Sequence, residues 1–453
     1  MGVARIDHAP SVPDPVASVL EGIARAGGRA WLVGGTVRDL LLGDVPRDFD
    51  VATDLEPQHV LRAFPDADAR DSRFGVCRIP SIGEPISVTT LRREGTYADR
   101  RRPDAVEFVA DPAVDAVRRD FTVNALYLDV GRREVFDPCG GLLDLEARLL
   151  RCIGEAELRF DEDPLRLLRA IRFAARCGLS VEGSTSAAIR ARAAGAATLS
   201  AERTFAELTD SFTGRGRGRA LELFVRLGIA AVLLPEVAAM DGVTQPPEYH
   251  PEGDVLTHVC LVLGHVPEGD AVLSWSAVLH DVGKPPTWRQ AEDRIRFDGH
   301  DTLSASMADD VLRRLRAPAD LREAVVEVCR DHIRFAALPK MRPRRAERWM
   351  RSPHFAKHLA FHRADCLGSH ADLSSWDFAQ AKFAALAPET EPLVTGADVL
   401  ELGVPSGPRI GALIRAVHDA ADEGPVAMDR PAALILLREL VERDRQGGAD
   451  RAR

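Results

Sequence analysis

Asp48 and Asp50 stand two residues apart in the run DFDVAT, shortly after the apolar stretch WLVGGTVRDLLLG at residues 31–43. In an extended chain that spacing puts both carboxylates on one face. Same-facing oxygen ligands suit Mg²⁺, which usually keeps substrate phosphates in its shell. Gly34 and Gly35 follow a strand-like run and open a helix, so their N–H groups point outward with no side chain to hold a phosphate off. Arg38 lies one helical step further on and can reach the same phosphate. Carboxylates for a metal beside a phosphate cradle are the apparatus of nucleotidyl transfer, in which metal ions activate a hydroxyl and stabilise a departing pyrophosphate. A lone glycine pair or a lone D-x-D would be an ordinary turn or a surface strand. Strand, glycine pair, arginine and D-x-D in this order is far more specific.

A second group lies in DEDPLRLLRAIRF, residues 161–173. The spacing predicts a helix with Asp163, Arg166 and Arg169 on one face. Cytosine and adenine each present an amino donor beside a ring-nitrogen acceptor, whereas uracil and guanine present the reverse. A carboxylate only accepts and a guanidinium only donates, so an Asp/Arg pair satisfies C and A and leaves groups unpaired against U and G. The competing interpretation is an ordinary i,i+3 ion pair. A third group is the histidine series: His258 ends HPEGDVLTH, His280-Asp281 sits in AVLHDVGK, and His300, His332 and Asp365 follow. Returning from successive helices, such residues offer a mixed nitrogen and oxygen site for a divalent transition metal.

GGTVRDLLLGDVPRDFDVAT resembles the first motif of class II CCA-adding tRNA nucleotidyltransferases and bacterial poly(A) polymerases, within the polymerase-β-like nucleotidyltransferase superfamily. The resemblance implies Asp48 and Asp50 as metal ligands and catalytic carboxylates, with Gly34, Gly35 and Arg38 at the nucleoside triphosphate. RRDFTVNAL (118–126) is similar to the second motif and implies that Arg119 and Asp120 bracket the sugar and phosphates, supported by Asn124. The 161–173 run is similar to the family's protein-templating motif, which implies Asp163 and Arg166 as the amino-acid template, with Arg169 and Arg172 at the triphosphate. AERTFAEL (201–208) looks like a structural motif in which Glu202 and Arg203 carry no chemistry. The stretch 91–108 resembles the flexible loop used in switching from C to A. Many relatives carry an acid where this chain has Ser87, so a third carboxylate is either absent or supplied by a neighbour such as Glu94. The histidine series resembles an HD phosphohydrolase domain, implying metal binding by His258, His280, Asp281 and Asp365, with His300 and His332 at a second metal. The implied partners are tRNA, CTP and ATP. The implied activity is template-independent CCA addition, with poly(A) synthesis or RNA-end phosphohydrolysis as the alternatives.

These residues need elements to position them. Strand-like runs (AWLVGG, FDVAT, PISVTTL, AVEFVA, ALYLDV) mixed with short helical ones predict an α/β head over residues 1–150. Helical periodicity then predicts an all-α neck at 151–245, a histidine-bearing HD-type body at 246–370 and a helical, RNA-binding tail at 371–453. The 453 residues exceed one typical core. A net charge of −10 argues against a nonspecific nucleic-acid coat. The cations are nearly all arginine, however, and cluster at 91–104, 165–178 and 340–351, which suits RNA contact at a chosen face. No apolar run is long enough for a bilayer. Seven scattered cysteines without a C-x-x-C motif read as reduced thiols in a cytoplasmic protein.

Overall fold

The structure is a computed structural model that describes residues 2–5, 12–95, 106–386, 393–423 and 429–450. The part of the 91–108 loop between 96 and 105 lies outside the described residues. The chain divides into two compact units, Met1–Arg330 with Ala364–Ala371, and Asp331–Arg363 with Asp372–Arg453.

The first unit opens with strands β1 (Gly2–Arg5), β2 (Ala30–Val33), β3 (Asp50–Thr53), β4 (Val76–Ile79), β5 (Ile86–Thr90), β6 (Arg92–Glu94), β7 (Val106–Phe108), β8 (Tyr127–Asp129) and β9 (Glu134–Asp137). Seven of them form one mixed sheet in the order β1-β9-β8-β2-β3-β5-β4. Only β3 and β5 run parallel; β6 and β7 form a separate hairpin. The runs around VCRI and EVFD were not expected as strands. Each is too short and too interrupted by charge to show a period of two clearly.

Alternation along β2 and β3 explains why the sheet is buried on both faces. Leu32 and Val51 point into one core with Val16, Val19 and Ile23 of the Asp14–Arg25 helix. Trp31, Val33 and Ala52 point into another, with Leu91, Ala116 and Tyr127. The rim of this sheet is thereby fixed, and the glycine turn after β2 and the aspartates before β3 sit on it.

After the head, helices dominate, as expected. In the Leu165–Arg176 helix, Leu167, Leu168, Ala170, Ile171 and Ala174 are buried. That apolar stripe fixes which way its arginines face. Trp275, fully buried, stacks on Phe205 with ring centroids 5.6 Å apart and donates from Nε1 to Thr209 Oγ1 at 3.0 Å. Arg217 donates to the carbonyls of Leu263 and Gly264 at the end of the Val255–His265 helix. These contacts bind the neck to the histidine-bearing helices and satisfy helix-end carbonyls that would otherwise be orphaned.

The second unit has two apolar clusters of its own. One gathers Phe335, Trp349, Phe355 and Leu359; the other gathers Val399, Val417, Ala433 and Leu437. His362 stacks on Phe335 with centroids 4.1 Å apart. Thr395 and Asp398 form a capping box on the Gly396–Glu401 helix. All seven cysteines are free. Among the described residues no helix is long and apolar enough to cross a membrane.

Candidate active site and metal centre

A cavity of about 570 Å³ opens at the rim of the head sheet. Its lining contains Gly34, Gly35, Arg38, Asp48, Asp50, Arg119, Asp120, Asn124, Asp163, Arg166, Arg169 and Arg172, so every head and neck site residue expected from the sequence meets there.

The glycine pair is required by geometry. Gly34 has φ of 66°, in the left-handed region, and caps the Gly35–Leu42 helix. A Cβ on Gly34 would lie 3.4 Å from Arg119 Nη1 and 3.8 Å from Asp50 Oδ2. The turn therefore runs between a guanidinium and a carboxylate.

The aspartates come together, but not as strand neighbours. β3 begins at Asp50, and Asp48 sits in the bend before it. Thr36 holds that bend: its hydroxyl donates to the Asp48 carbonyl at 3.2 Å and accepts the Asp50 N–H at 3.0 Å. This residue was not anticipated, since nothing in the sequence marks a side chain that clamps a turn twelve residues away. Burial pushes the Asp50 carboxyl above its ordinary 3.8, the Asp48 charge adds to the effect, and Arg119 and Arg169 offset it only in part. Two mutually repelling carboxylates at the mouth of a polar cavity fit a divalent cation, which would relieve that repulsion.

Ser87 is the direct partner of Asp50 in the β3–β5 register, so a hydroxyl rather than a carboxylate stands beside Asp50 there. Glu94 also lines the cavity, yet its carboxylate is held by Arg92 and Arg118. It is committed to ion pairs where the sequence left it open as a substitute acid.

Behind these residues runs a continuous polar chain. Arg38, 1% exposed, donates to Asn124 Oδ1 at 2.6 Å and to Asp39 Oδ1 at 2.8 Å. Asn124 Nδ2 donates to Asp120 Oδ1 at 3.1 Å, and Arg169 Nε donates to Asp120 Oδ2 at 2.8 Å. Burial opposes the charge on Asp120, but the Arg169 guanidinium and the Asn124 amide hold its carboxyl down at about 2. Arg176 closes the chain on Asp39 Oδ2 at 2.8 Å. Phe173 lies beneath three guanidiniums, those of Arg38, Arg169 and Arg172, at 5.0, 4.9 and 4.6 Å from its ring centre. Asp39, Phe173 and Arg176 were missed. Only the i,i+4 spacing of Phe173 from Arg169 and of Arg176 from Arg172 would have signalled the last two.

The expected helical Asp163/Arg166 face needs correction. Asp163 has φ −143° and ψ 99°, extended backbone, and the helix begins only at Leu165. Pro164 is the cause, because a residue before proline is driven out of the helical region. The two side chains do not pair with each other. Asp163 Oδ1 accepts from Leu165 N at 3.1 Å and Arg203 Nη2 at 3.4 Å. Arg166 Nη1 donates to Glu162 Oε2 at 2.8 Å and to the Arg159 carbonyl at 3.0 Å. Both side chains still line the cavity, each anchored separately. The 201–208 segment supplies two of the anchors, Arg203 to Asp163 and Glu207 to Arg172, which gives this segment its structural role.

The histidines converge at a second place in the same unit. His258 Nε2 lies 3.3 Å from His280 Nε2, 3.1 Å from Asp365 Oδ1 and 3.7 Å from Asp281 Oδ2. His300 Nε2 lies 3.7 Å from Asp281 Oδ1. In each imidazole the other nitrogen is occupied: His258 by Glu252 at 2.8 Å, His280 by the Ala277 carbonyl at 2.9 Å and His300 by the Phe297 carbonyl at 2.7 Å. The two carbonyls fix the Nδ1 protons of His280 and His300 and turn their Nε2 lone pairs inward, the tautomer a metal needs, while Glu252 lies in ion-pairing range of His258 Nδ1 without hydrogen-bond geometry. Buried imidazoles and carboxylates gathered this closely fit a divalent metal. His332, the remaining expected ligand, is buried at the start of a 3₁₀ segment in the other unit.

Glu252 was not anticipated, although the H-P-E run before His258 contains it. Its carboxylate joins His258 to His250, whose Nδ1 lies 2.9 Å away. Replacing Glu252 with Gln removes the charge that makes His258 a strong donor. Metal affinity should fall by about 10- to 100-fold, read by metal titration of the purified protein followed by elemental analysis.

Three families match the chain in succession. Residues 30–151 match the poly A polymerase head domain, 178–240 the probable RNA and SrmB-binding site of polymerase A, and 255–355 the HD domain. The chain is 35% identical to the multifunctional CCA protein of Halorhodospira halophila over 410 residues, 85% of this chain and 94% of that one. It is 40% identical to the CCA-adding enzyme of Geobacillus thermodenitrificans over 215 residues, 48% of this chain. There the match spans about half of the relative's length, 53%. Among solved structures, the chain is similar to the Bacillus stearothermophilus CCA-adding enzyme in complex with CTP, with 26% identity and a TM-score of 0.68 over 97% of this chain and 100% of that one. With matches to the poly A polymerase head domain, the probable RNA and SrmB-binding site and the HD domain in this order, the chain belongs to the family of CCA-adding enzymes and multifunctional CCA proteins.

Proposed function

We propose that this protein adds C, C and A in turn to the 3′ end of tRNA from CTP and ATP, releasing pyrophosphate, with no nucleic-acid template. The observation that carries the reading is one cavity holding a carboxylate pair at its rim, an arginine wall beside it and a base-reading acid, Asp163, among the arginines. Asp48 and Asp50 would hold Mg²⁺, which when bound lowers the barrier to ionising the attacking 3′ hydroxyl and neutralises charge on the departing pyrophosphate.

The chain's own side chains do the rest. Arg119, Arg169 and Arg172 face the triphosphate, each held by an acid of its own, Asp115, Asp120 and Glu207, so that none is free to collapse onto the rim carboxylates. Glycines 34 and 35 leave the helix N-terminus open to the sugar-phosphate. Asp163 accepts from the exocyclic amine of C or A, and Arg166 donates to the neighbouring ring nitrogen. The head, neck, HD body and tail divided near residues 150, 245 and 370 would then divide the labour, with the neck and tail gripping tRNA. Its place is the cytoplasm, where its substrates are.

The test is to incubate a tRNA transcript ending at the nucleotide before CCA with all four triphosphates and Mg²⁺, and to sequence the product ends. Ends reading CCA support the proposal, and their loss on chelation supports the metal. Adenosine tracts would identify a poly(A) polymerase instead. The inward Nε2 atoms of His258, His280 and His300 favour a second activity, phosphohydrolysis of RNA-end phosphates at the HD centre. Metal-dependent hydrolysis of a nucleoside 2′,3′-cyclic phosphate, lost in His280→Ala, checks that reading. No hydrolysis with Mg²⁺, Mn²⁺, Co²⁺ or Ni²⁺ would leave the centre a structural one.

A further inference from the structure

We propose that Tyr249 and Arg294 form a nucleoside-holding subsite at the mouth of the histidine centre. The base of a nucleoside 2′,3′-cyclic phosphate stacks on Tyr249 while its phosphate faces His258, His280 and Asp281. The inference rests on the phosphohydrolase reading of that centre and adds the residues that would hold the substrate's base.

Two segments of the chain are rooted in the centre and meet outside it. The first is the loop at residues 245–252. Gln245 Oε1 accepts from Lys284 Nζ at 2.6 Å, and the same ammonium lies 2.8 Å from Asp281 Oδ2. A turn follows, in which the Pro246 carbonyl accepts the N–H groups of Tyr249 and His250 at 3.1 and 3.0 Å. His250 Nδ1 then lies 2.9 Å from Glu252 Oε1, and that oxygen lies 2.8 Å from His258 Nδ1. The second segment is a two-stranded ribbon, Arg289–Gln290 paired with Ile295–Arg296. It leaves the Lys284–Thr287 helix and returns to Phe297. The Phe297 carbonyl accepts from His300 Nδ1 at 2.7 Å, and its ring centre lies 5.4 Å from Lys284 Nζ. At the ribbon's turn, Arg294 Nη1 donates to the Tyr249 hydroxyl at 2.9 Å, with the guanidinium carbon 5.4 Å from the ring centre.

Both roots lie on residues of the centre, so Tyr249 and Arg294 are held close beside it. The Tyr249 ring is nevertheless 52% exposed. Among the described residues Tyr249 and Trp288 are the only strongly exposed Phe, Tyr or Trp side chains, and Trp288 stands at the start of the same ribbon. Aromatic rings left open beside arginines suit a planar base, because stacking tolerates any base and a guanidinium adds attraction for the ring and for phosphate. A second observation points the same way. Gln245 is 5% exposed, and its Nε2 has no hydrogen-bond acceptor among the described residues. A buried donor left unpaired is costly, and a ribose or phosphate oxygen of a ligand would satisfy it. In the hydrolysis, the oxygen of water bonds to phosphorus, one ring P–O bond breaks and the proton goes to the freed ribose oxygen. Base, ribose and phosphate stay in one molecule, so a grip on the base holds the reacting group throughout.

The experiment measures kcat and KM of the full chain on three esters: adenosine 2′,3′-cyclic phosphate, a short RNA ending in the same group, and glycerol 1,2-cyclic phosphate, which has no base. Wild type, Tyr249→Ala, Tyr249→Phe and Arg294→Ala are compared. The subsite predicts that Tyr249→Ala lowers the ratio of kcat/KM for the adenosine ester to that for the glycerol ester by about tenfold, mainly through KM. Arg294→Ala should lower it by about threefold, and Tyr249→Phe, which keeps the ring, should hold it near the wild-type value. A similar fall for the RNA identifies an RNA end as the ligand, and a fall for the free ester alone identifies the free nucleotide. An unchanged ratio in Tyr249→Ala, or equal losses on all three esters, would overturn the subsite, since a merely structural defect weakens every substrate alike. If Tyr249→Ala does not fold, Arg294→Ala decides by the same ratio. Failure of the wild type to hydrolyse any of the three with Mg²⁺, Mn²⁺, Co²⁺ or Ni²⁺ would instead refute the phosphohydrolase reading, and the subsite with it.

Discussion

Replacing Asp50 with Asn should reduce nucleotide transfer by about 10³-fold or more while the protein becomes more stable, not less. The activity loss follows from removing a metal ligand worth several kcal/mol of charge stabilisation in the transition state. The stability gain follows from the repulsion at the rim. The Asp50 carboxyl is raised from 3.8 by burial and by Asp48, so the folded protein holds its proton more tightly than the unfolded chain does. Stability contributed by that proton is present at low pH and is lost as pH rises from about 3.8 through the raised value. At neutral pH the ionised pair is a cost, and the amide removes it. Differential scanning calorimetry without metal should show a higher midpoint for Asp50→Asn than for wild type, and Mg²⁺ should raise the wild-type midpoint more than the variant's. A variant that melts lower and keeps transfer activity would refute the site. Asp48→Ala should show the same loss of transfer, with a smaller change in stability because Asp48 is exposed.

The second large effect concerns base choice. Arg166→Ala and Asp163→Ala should each lower the preference for CTP over UTP by about 10²-fold, measured as the ratio of kcat/KM values on a transcript lacking CCA. Against UTP both hydrogen-bonding groups face a like partner, donor to donor and acceptor to acceptor, and unpaired buried polar groups give large discrimination. Removing either protein group relieves half of that mismatch. The anchors found in the structure add a refinement. Glu162 holds Arg166 and Arg203 holds Asp163, so Arg203→Ala should loosen only the acid and shift selectivity by less than Asp163→Ala does. Unchanged selectivity in both Asp163→Ala and Arg166→Ala would remove these residues from base reading.

How far the sequence could be read depended on whether a feature was local. The glycine turn, Arg38 and the Asp48/Asp50 pair follow from type and spacing over a short run, and the structure brings them together at one rim. Asp163 was assigned to the right pocket but the wrong backbone state, because helical spacing was weighed ahead of Pro164 beside it. Side chains that act across long separations were not legible at all. Asp115 meets Arg92 twenty-three residues upstream, and Thr36 clamps a turn twelve residues ahead. Neither carries a local pattern, and only the folded sheet creates the contact. Glu252 and Asp39 were within sight beside named residues. Their task is to hold another side chain rather than to touch a substrate, so no reactive pattern advertises them. Ser87 shows the opposite case: the resemblance singled it out from the sequence, and the β3–β5 register places it opposite Asp50.

The most direct test of the account gives one tRNA transcript lacking CCA Mg²⁺ and each triphosphate singly and in pairs, with products resolved to a single nucleotide. CCA addition predicts growth by two residues with CTP alone, by three with CTP and ATP together followed by a stop, and none with UTP or GTP. Long ladders from ATP alone, or equal use of UTP, would contradict it.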